Sequence, residues 1–377
     1  MQSKSGDLNS SEIKSALRKS ELRFSARDAL LKAEELICSY NSNLNRQQAL
    51  KQTELTLEII AEFVFNEVDR RGVRKKLTST EEVEVILAVI DHLVLAKTEV
   101  RRNAVFLSLF PLHHSTDRTW FLVTLISLAI STISVPVLSA AAAHLQQVGC
   151  TSTYASHFAR KLVQEYFMLV PIDTQAVIDL PKDAPLFVAN FLTAVTEGYS
   201  FIEGKQKFIL PPRHMLEIVV RWIKDNPRLC LTPLLPAYHP ALPQGAIVMP
   251  AVTPYTGLFK WCIMSVVDTS ESSVQLYSLL ESLLLSSLER AATEGLAENE
   301  RNVVLAQDLA TSVPALLGLC FDRSAVLNQA IDRLARIIQV TMVTQTLYGS
   351  KQELWRQLES LPPNKLMQHI KENIFKT

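Results

Sequence analysis

A glycine and lysine pair near residue 200 is the closest approach of this sequence to a phosphate-binding loop. The stretch GYSFIEGKQ places five residues between Gly198 and Gly204, where a P-loop has four. It also places Gln206 where a Ser or Thr hydroxyl would have to reach magnesium. The stretch therefore departs from the motif at two points, and the sequence predicts no nucleotide chemistry here.

The histidines do not have the spacing of metal ligands. His113 and His114 are adjacent, so on a helix or strand their side chains point in different directions and cannot chelate one ion. His92, His144 and His157 have no ligand spacing around them and are interpreted as structural residues. The chain also lacks the G-x-S-x-G and H-E-x-x-H motifs of hydrolases and metalloproteases.

Paired carboxylates are present at Glu34–Glu35 and Glu81–Glu82, but they fall at helix starts or on solvated helix faces. Helix capping and the helix dipole explain acidic residues at such positions without catalysis. The sequence therefore predicts no catalytic residue, no metal site and no cofactor, and the protein is not expected to be an enzyme.

One dense basic run, DRRGVRKK at 69–76, could contact phosphate or act as a nuclear-import signal. The alternative is a solvated turn between two helices. The whole chain has 38 basic and 38 acidic residues, and this balance argues against a dedicated nucleic-acid-binding protein. The cationic residues of the run are Arg70, Arg71, Arg74, Lys75 and Lys76.

Composition favours helices and a reducing compartment. The chain of 377 residues has only 10 glycines, whereas all-β folds need many glycine-containing turns. Its five cysteines are dispersed, odd in number and without a C-x-x-C pair, which is typical of buried thiols and not of a disulfide framework. The polar N-terminus MQSKSGDLNSSEIK does not resemble a secretory signal.

Helical periodicity and capping signals recur along the chain. Ser25 is a predicted N-cap, Ser79 with Glu82 and Ser350 with Glu353 are predicted capping boxes, and Gly295 is a predicted C-cap. The predicted helices are 25–40, 54–68, 79–95, 99–110, 120–133, 136–147, 153–169, 174–180, 184–197, 211–224, 255–266, 273–292, 299–319, 325–347, 351–360 and 363–374.

The segment 211–224 shows the clearest amphipathic pattern. Its apolar positions predict that Trp222 lies in the core, and its polar positions place Glu217 one turn before Arg221. Pro211 and Pro212 suit a first turn, and Pro227 prevents continuation of the helix.

Successive short helices with brief connections predict an all-α fold of stacked helical hairpins, a HEAT- or armadillo-like solenoid. No exact sequence period is present. The predicted organisation is a disordered lead at 1–10, a helical block at 11–226, a proline-rich apolar loop at 227–254 and a second helical block at 255–377.

The first of two charge-free stretches covers 119–159 and contains the apolar run WFLVTLISLAISTISVPVL at 120–138. That run is long enough to be a membrane-span candidate. However, Thr124, Ser127, Ser131 and Ser134 form a neutral polar stripe, and Pro136 interrupts the run. The preferred interpretation is a helix packed inside the solenoid.

The second charge-free stretch covers 229–259, and seven prolines lie between Pro227 and Pro254. Regular structure is therefore not expected in this loop. Because long uncovered apolar loops are uncommon, either the loop fills a groove in its own chain or it presents apolar anchors to a partner. The candidate partner-binding residues are Leu234, Leu235, Tyr238, Leu242, Ile247, Val248 and Met249.

Two adjoining blocks, LPPRHMLEIVVRWIKDNPRLCLT and LPQGAIVMPAVTPYTGLFKWCIM, resemble the Integrator complex subunit 15 family. Supporting blocks in the same order include RDALLKAEELI, EIIAEFVF, NAVFLSLF, VPVLSAAAAHLQ, RLARIIQVTMVTQTL and ELWRQLESLPPNKLMQHI. The resemblance spans about residue 20 to 370. The family's longer proline- and histidine-rich tail is not seen after Thr377, and VVDTSESSVQ stands where the family has a longer polar insert.

The resemblance implies an all-helical, non-enzymatic nuclear subunit of Integrator, which cleaves nascent transcripts of RNA polymerase II, including small nuclear RNA precursors. It further implies a place in the arm module with Integrator subunits 10, 13 and 14, joining that module to the core. No membrane, small-molecule or direct nucleic-acid partner is expected. The alternatives are a helical adaptor outside Integrator and, less favoured, a membrane-associated protein.

Overall fold

The computed structural model describes residues 10–19, 21–39, 46–67, 77–111, 118–202, 207–247, 249–268, 270–319 and 324–373. These residues form eighteen α-helices and four two-residue strands, so the predicted all-α fold class with stacked helices is confirmed. The chain divides into two compact units: unit 1 holds 1–147 and 240–247, and unit 2 holds 148–239 and 248–377. The domain boundaries proposed from sequence, at 226 and 254, stay a prediction.

Unit 1 is a stack of helices around α2, which packs on α3, α4 and α5. The apolar positions of α2 recur every three or four residues, and Ala29, Leu30 and Ala33 are completely buried. The helices are α1 (Ser10–Leu17), α2 (Leu22–Cys38), α3 (Arg46–Phe63), α4 (Ser79–Leu95), α5 (Glu99–Leu109), α6 (Thr119–Ser131) and α7 (Val135–Val148).

Two predicted helix starts are displaced from their observed positions. Helix α2 begins at Leu22, so Ser25 is not its N-cap; its buried hydroxyl donates to the carbonyl of Leu22. The capping box of α4 pairs Thr78 with Glu81 and not Ser79 with Glu82. The Thr78 amide donates to Glu81 Oε2 at 2.8 Å. The capping hydroxyl is therefore that of Thr78, one residue before the predicted Ser79.

A buried ion pair holds the entry to α6. Arg118 is 4% exposed, and its Nε and Nη2 donate to Glu67 Oε1 and Oε2 at 2.6 and 2.7 Å. Its Nη1 donates to the Leu109 carbonyl, and its guanidinium lies 4.1 Å from the ring centroid of Phe65. The charge is thus paired and hydrogen-bonded, as burial requires.

The first charge-free stretch forms α6, α7 and the first turns of the helix Thr153–Leu162. The described residues contain no helix that is long and apolar enough to cross a membrane. The neutral stripe does not face the interior throughout, since Thr124 and Ser131 are exposed. Their hydroxyls donate to the carbonyls of Trp120 and Ser127, four residues earlier on the same helix. Intrahelical bonding of hydroxyls is why these residues need no partner from another element.

Unit 2 is built on α10 and α12, which pack on each other. Helix α10 also packs on α8 and α9, and α12 also packs on α13 and α16. Gly257 allows this approach, because a Cβ there would lie 2.0 Å from Thr196 Oγ1. The helices are α8 (Thr153–Leu162), which continues as a π-helix over Val163–Phe167, α9 (Gln175–Asp183), α10 (Pro185–Gly198), α11 (Arg213–Asp225), α12 (Tyr255–Met264), α13 (Glu271–Glu294), α14 (Ala306–Ala310), α15 (Ser312–Leu319), α16 (Ser324–Val343), α17 (Lys351–Leu358) and α18 (Lys365–Asn373).

The predicted helix 299–319 is wrong in its first half. Val304–Leu305 (β3) pairs in parallel with Leu347–Tyr348 (β4), which also ends the predicted helix 325–347 early, at Val343. The Val304 amide donates to the Thr346 carbonyl at 3.0 Å. Because this amide bonds to the other strand, it cannot form a helical hydrogen bond. The other strand pair, Phe201–Ile202 (β1) with Lys207–Phe208 (β2), is antiparallel.

Helix α11 has the predicted amphipathic core face, although its ion pairs differ from the prediction. Trp222 is 1% exposed, and its Nε1 donates to the Val177 carbonyl at 2.7 Å. Glu217 pairs with Arg213 at 2.8 Å and not with Arg221, which lies 3.9 Å from Asp225.

Two predicted caps in the C-terminal half of the chain, the C-cap Gly295 and the N-cap Ser350, are at the expected residues. Gly295 ends α13 with φ of +88°, and Ser350 accepts the Glu353 amide at the start of α17.

Trp222 provides the first testable prediction. We expect Trp222→Ala to lower the free energy of unfolding by about 3–5 kcal/mol, because the cavity adds to the lost transfer energy. Trp222→Phe should cost less, since much of the ring volume remains and the main loss is the bond to Val177. Urea denaturation followed by circular dichroism measures both, and equal stability of the two variants would contradict the packing described.

His144 on α7 provides a second prediction. It is buried beside Phe106 and Phe110, and burial lowers its pKa from 6.5 to about 3. Between these pH values the unfolded chain therefore binds more protons than the folded protein. The contribution of neutral His144 to the free energy of unfolding is complete above about pH 6.5 and falls as pH decreases. We expect this residue to account for a loss of about 2 kcal/mol between pH 6.5 and 5.

The control for this prediction is His144→Phe, which keeps an aromatic ring but cannot take up a proton. Urea denaturation at pH 6.5 and pH 5 should show a smaller loss in the variant than in the natural chain. The same pH dependence in both proteins would contradict neutral burial of His144.

Candidate interaction surface

The proline-rich loop (227–254) begins as part of the core of unit 2. A 3-10 helix covers Leu229–Leu234, and all six of its residues are buried against α10 and the turn at 298–300. Pro233 lies inside this helix, and Pro236 begins a second 3-10 helix, Pro236–Tyr238; neither helix was predicted from the sequence. For this part of the loop the first alternative holds: the chain fills its own groove, and Leu234 is not available at the surface.

The second part of the loop emerges at Leu235, which is half-buried, and at Tyr238, which is 41% exposed. These two side chains line an open groove of about 640 Å³ in unit 2. The remaining lining is mostly proline and cationic: Pro181, Lys182, Pro185, Pro227, Arg228, Pro236 and Arg290, with Asn226, Leu229, Thr232 and Ala237.

The third part, Pro240–Ile247, belongs to unit 1 and is bound there by two side chains of α5. Asn103 has no exposed surface, and its Nδ2 donates to the Ala241 carbonyl at 2.7 Å. Glu99 Oε1 accepts from the Ala241 amide at 3.3 Å. The backbone N–H and C=O of Ala241 are thus both hydrogen-bonded to side chains of α5, which fixes this segment on unit 1.

Beside this anchor lies an apolar groove of about 500 Å³, called here the unit 1 groove. One wall is Pro243–Gln244 of the loop, and the other walls come from α2, α3 and α5. The lining is Leu36, Ile37, Cys38, Gln52, Thr53, Thr56, Leu57, Val100, Arg101, Ala104, Leu107, Ser108, Pro111, Pro243 and Gln244. Its volume lies within the range of small-molecule pockets, and its open side suits apolar side chains of a protein.

The remaining candidates of the loop differ widely in exposure. Ile247 is 75% exposed at the end of the unit 1 segment, and Leu242 within it is half-buried. Met249 is 37% exposed in unit 2, where its methyl group lies 3.9 Å from the Cβ position of Gly149. Val248 lies outside the described residues.

The predicted partner-binding residues that the structure describes are divided between the two units. The structure assigns Leu234, Leu235, Tyr238 and Met249 to unit 2, and Leu242 and Ile247 to unit 1. The predicted basic run, Arg70, Arg71, Arg74, Lys75 and Lys76, lies outside the described residues, as do His113 and His114.

No arrangement for catalysis emerges within the described ranges. They contain no group of three His, Cys, Asp or Glu side chains that could hold a metal ion. Burial raises the pKa of Cys150 to about 12 and also raises the pKa values of Cys230 and Cys262, so these thiols stay protonated at neutral pH. Buried neutral thiols are not nucleophiles.

Sequence reasoning missed the anchor residues Asn103 and Glu99. A signal was present, because Asn103 lies on the same helix face as Phe106 and Phe110, where an apolar residue is expected. A polar residue in a buried stripe requires a hydrogen-bond partner, and here the partner is 138 positions away in the sequence.

Comparison with known proteins agrees with the sequence blocks described above. The model of the family described as Integrator complex subunit 15 matches residues 11–363. The chain is 30% identical to Integrator complex subunit 15 of Drosophila melanogaster, over 94% of this chain and 96% of that protein. The proteins of the same name from Mus musculus and Homo sapiens are 29% and 28% identical, each over 94% of this chain and 86% of the relative.

Asn103 provides a third prediction. Asn103→Ala removes the donor to Ala241, so we expect the free energy of unfolding to fall by about 1 kcal/mol, the net value of such a bond. The local effect should be larger, because segment 240–247 loses its side-chain donor. Limited digestion with thermolysin should cleave the variant faster before Leu242 and Ile247.

Thr124→Ala is the matched control, since it also removes a side-chain bond to a backbone carbonyl but on the exposed face of α6. It should leave cleavage in the loop unchanged. Equal cleavage of the Asn103 variant and the natural chain would contradict the anchoring of this segment.

Proposed function

The chain belongs to the Integrator complex subunit 15 family, and from that premise we propose that it is a non-catalytic scaffold subunit of Integrator. In this proposal it joins the arm module, with subunits 10, 13 and 14, to the rest of the complex in the nucleus. It would thereby support 3'-end processing and attenuation of RNA polymerase II transcripts, including small nuclear RNA.

The observation that carries the proposal is the state of the proline-rich loop. Its backbone is held in place at Leu229–Leu234 and at Ala241, yet it leaves Tyr238 and Ile247 exposed. Ordering of the backbone before binding reduces the entropy lost on association, so exposed anchors on an ordered loop favour a binding role.

The character of the grooves also supports a protein partner. The unit 1 groove is mainly apolar, and Ile247 lies at the end of the segment that forms one of its walls. Protein interfaces are typically built from such a core of aliphatic and aromatic anchors within a polar rim. The charges of the chain balance at 38 and 38, so it has no general basic excess for nucleic acid.

The experiment is affinity purification of the tagged full-length protein from nuclear extract, with quantification of Integrator subunits by mass spectrometry. We expect the natural chain to recover subunits 10, 13 and 14 together with core subunits. Recovery of other proteins without any Integrator subunit would favour the alternative, a helical adaptor outside Integrator.

The fourth prediction concerns Ile247→Asp in the same experiment. Because Ile247 is 75% exposed, the change should leave the fold intact, but it would bury a charge in any interface formed there. We expect recovery of at least one Integrator subunit to fall by about tenfold, as for an interface residue worth more than 1 kcal/mol.

Leu169→Asp is the matched control, since Leu169 is 76% exposed and lies outside the loop. It should leave recovery unchanged. Undiminished recovery with Ile247→Asp would exclude this part of the loop from the contact.

A further inference from the structure

A second surface of unit 1, distinct from the proline-rich loop, combines exposed apolar side chains with cations. Phe24 and Leu31 on α2 are 56% and 47% exposed, and Leu95 at the end of α4 is 73% exposed. Phe24 and Leu31 are seven residues apart and so lie on the same side of their helix. The three side chains line a cleft of about 470 Å³, and we call this surface the α2–α4 face.

Three cations border the cleft: Arg23, Arg27 and Lys97. Within the part of the chain that the structure describes, none of them has a carboxylate within 4.0 Å. Some exposed cations of other helices do have such a partner, as Arg213 has Glu217 and Arg290 has Glu294. The α2–α4 face therefore presents uncompensated positive charge around an apolar centre.

Two carboxylates line the cleft, and they contribute unequally. Asp91 is exposed at the rim. Glu34 is mostly buried and already lies 3.5 Å from Arg101 Nη1, so its charge is offset within the chain. Of the groups that remain uncompensated, three are positive and one is negative.

A buried polar atom lies in the lining of the same cleft. The side chain of His92 is 5% exposed, and its Nε2 has no hydrogen-bond partner among the described residues although it lies 3.3 Å from Glu34 Oε2. Burial lowers the pKa of His92, so the ring is neutral at pH 7 and adds no charge to the cleft.

We infer that the α2–α4 face binds an acidic segment of a partner protein. An apolar side chain of that segment inserts between Phe24, Leu31 and Leu95. Its flanking carboxylates pair with Arg23, Arg27 and Lys97, which have no other carboxylate nearby. The inference rests on these residues and not on the proposed role of the loop.

The chemistry of the face favours an acidic peptide over single-stranded nucleic acid. Nucleic acid of this kind binds through several aromatic side chains on which successive bases stack. This cleft has one exposed aromatic side chain, Phe24, because the ring of His92 is buried. Leu31 and Leu95 are aliphatic and suit side chains better than bases. Asp91 at the rim would repel phosphate but can be tolerated beside a peptide whose carboxylates face the arginines.

The test is site-specific photo-crosslinking in the assembled complex. A benzoylphenylalanine residue replaces Leu95 in the tagged full-length protein in cells, and the crosslinked peptide is identified by mass spectrometry after purification. The expected product is a partner segment that carries Asp or Glu residues around an apolar residue. The same probe in place of Val343, which is 73% exposed in unit 2, should not crosslink that segment.

Charge reversal then tests the role of the cations. We expect the double variant Arg23→Glu with Arg27→Glu to reduce the Leu95 crosslink at least about tenfold, because attraction becomes repulsion. Lys51→Glu, an exposed charge reversal on α3 outside the cleft, should leave the crosslink unchanged. Urea denaturation of each variant verifies that the fold is retained.

Several results would overturn the inference. They are no crosslink from position 95, a crosslink to nucleic acid, to a second copy of this chain or to a basic segment, and a crosslink that survives charge reversal. Each of these can occur while Integrator subunits are still recovered, so failure here is distinguishable from failure of the proposed function. Conversely, loss of all Integrator subunits would contradict the scaffold proposal and not the binding of an acidic segment.

Discussion

The hydrogen bond from Asn103 to the Ala241 carbonyl is the interaction on which the candidate surface depends. Seven prolines between Pro227 and Pro254 remove backbone donors, so this loop cannot satisfy its carbonyls by forming a sheet or a long helix. Some of its carbonyls accept from backbone amides in 3-10 turns, as Thr232 does from Leu235. The Ala241 carbonyl instead accepts from the side chain of Asn103 in unit 1. In unit 2 the loop is held by a side chain of its own, because the Thr253 hydroxyl donates to the Val303 carbonyl at 2.7 Å. These hydrogen bonds fix the position of the loop although it contains few regular elements.

Much of the fold followed from local sequence. Proline and glycine positions, apolar periodicity and capping residues were sufficient to locate most helices and to predict that Trp222 is buried. The errors occurred where a tertiary contact overrode a local pattern. The apolar segment around Val304 was expected to be helical. Instead, the Val304 amide donates a hydrogen bond to the carbonyl of Thr346, which is 42 positions later in the sequence. No periodicity within either segment specifies that pairing.

The candidate site was predictable in location but not in arrangement. The absence of charge from 229 to 259 indicated that the loop is covered or binds a partner, and the structure shows burial for Leu229–Leu234 and exposure for Ile247. The sequence could not divide the loop between two units, because that division depends on Asn103 and Glu99 of α5. The α2–α4 face was missed for a different reason: Phe24, Arg27 and Leu95 are unremarkable singly, and only folding brings them to one cleft.

Hydrogen exchange of the backbone amides, compared between the free protein and the assembled Integrator complex, tests the central claim most directly. In the free protein, amides of Leu229–Leu235 should exchange slowly, because this segment is buried in unit 2. On assembly, amides in 237–247 should exchange more slowly than in the free protein, since a partner then covers Tyr238 and Ile247. Rapid exchange throughout 229–247 in the free protein, or equal exchange of 237–247 in both states, would contradict the account.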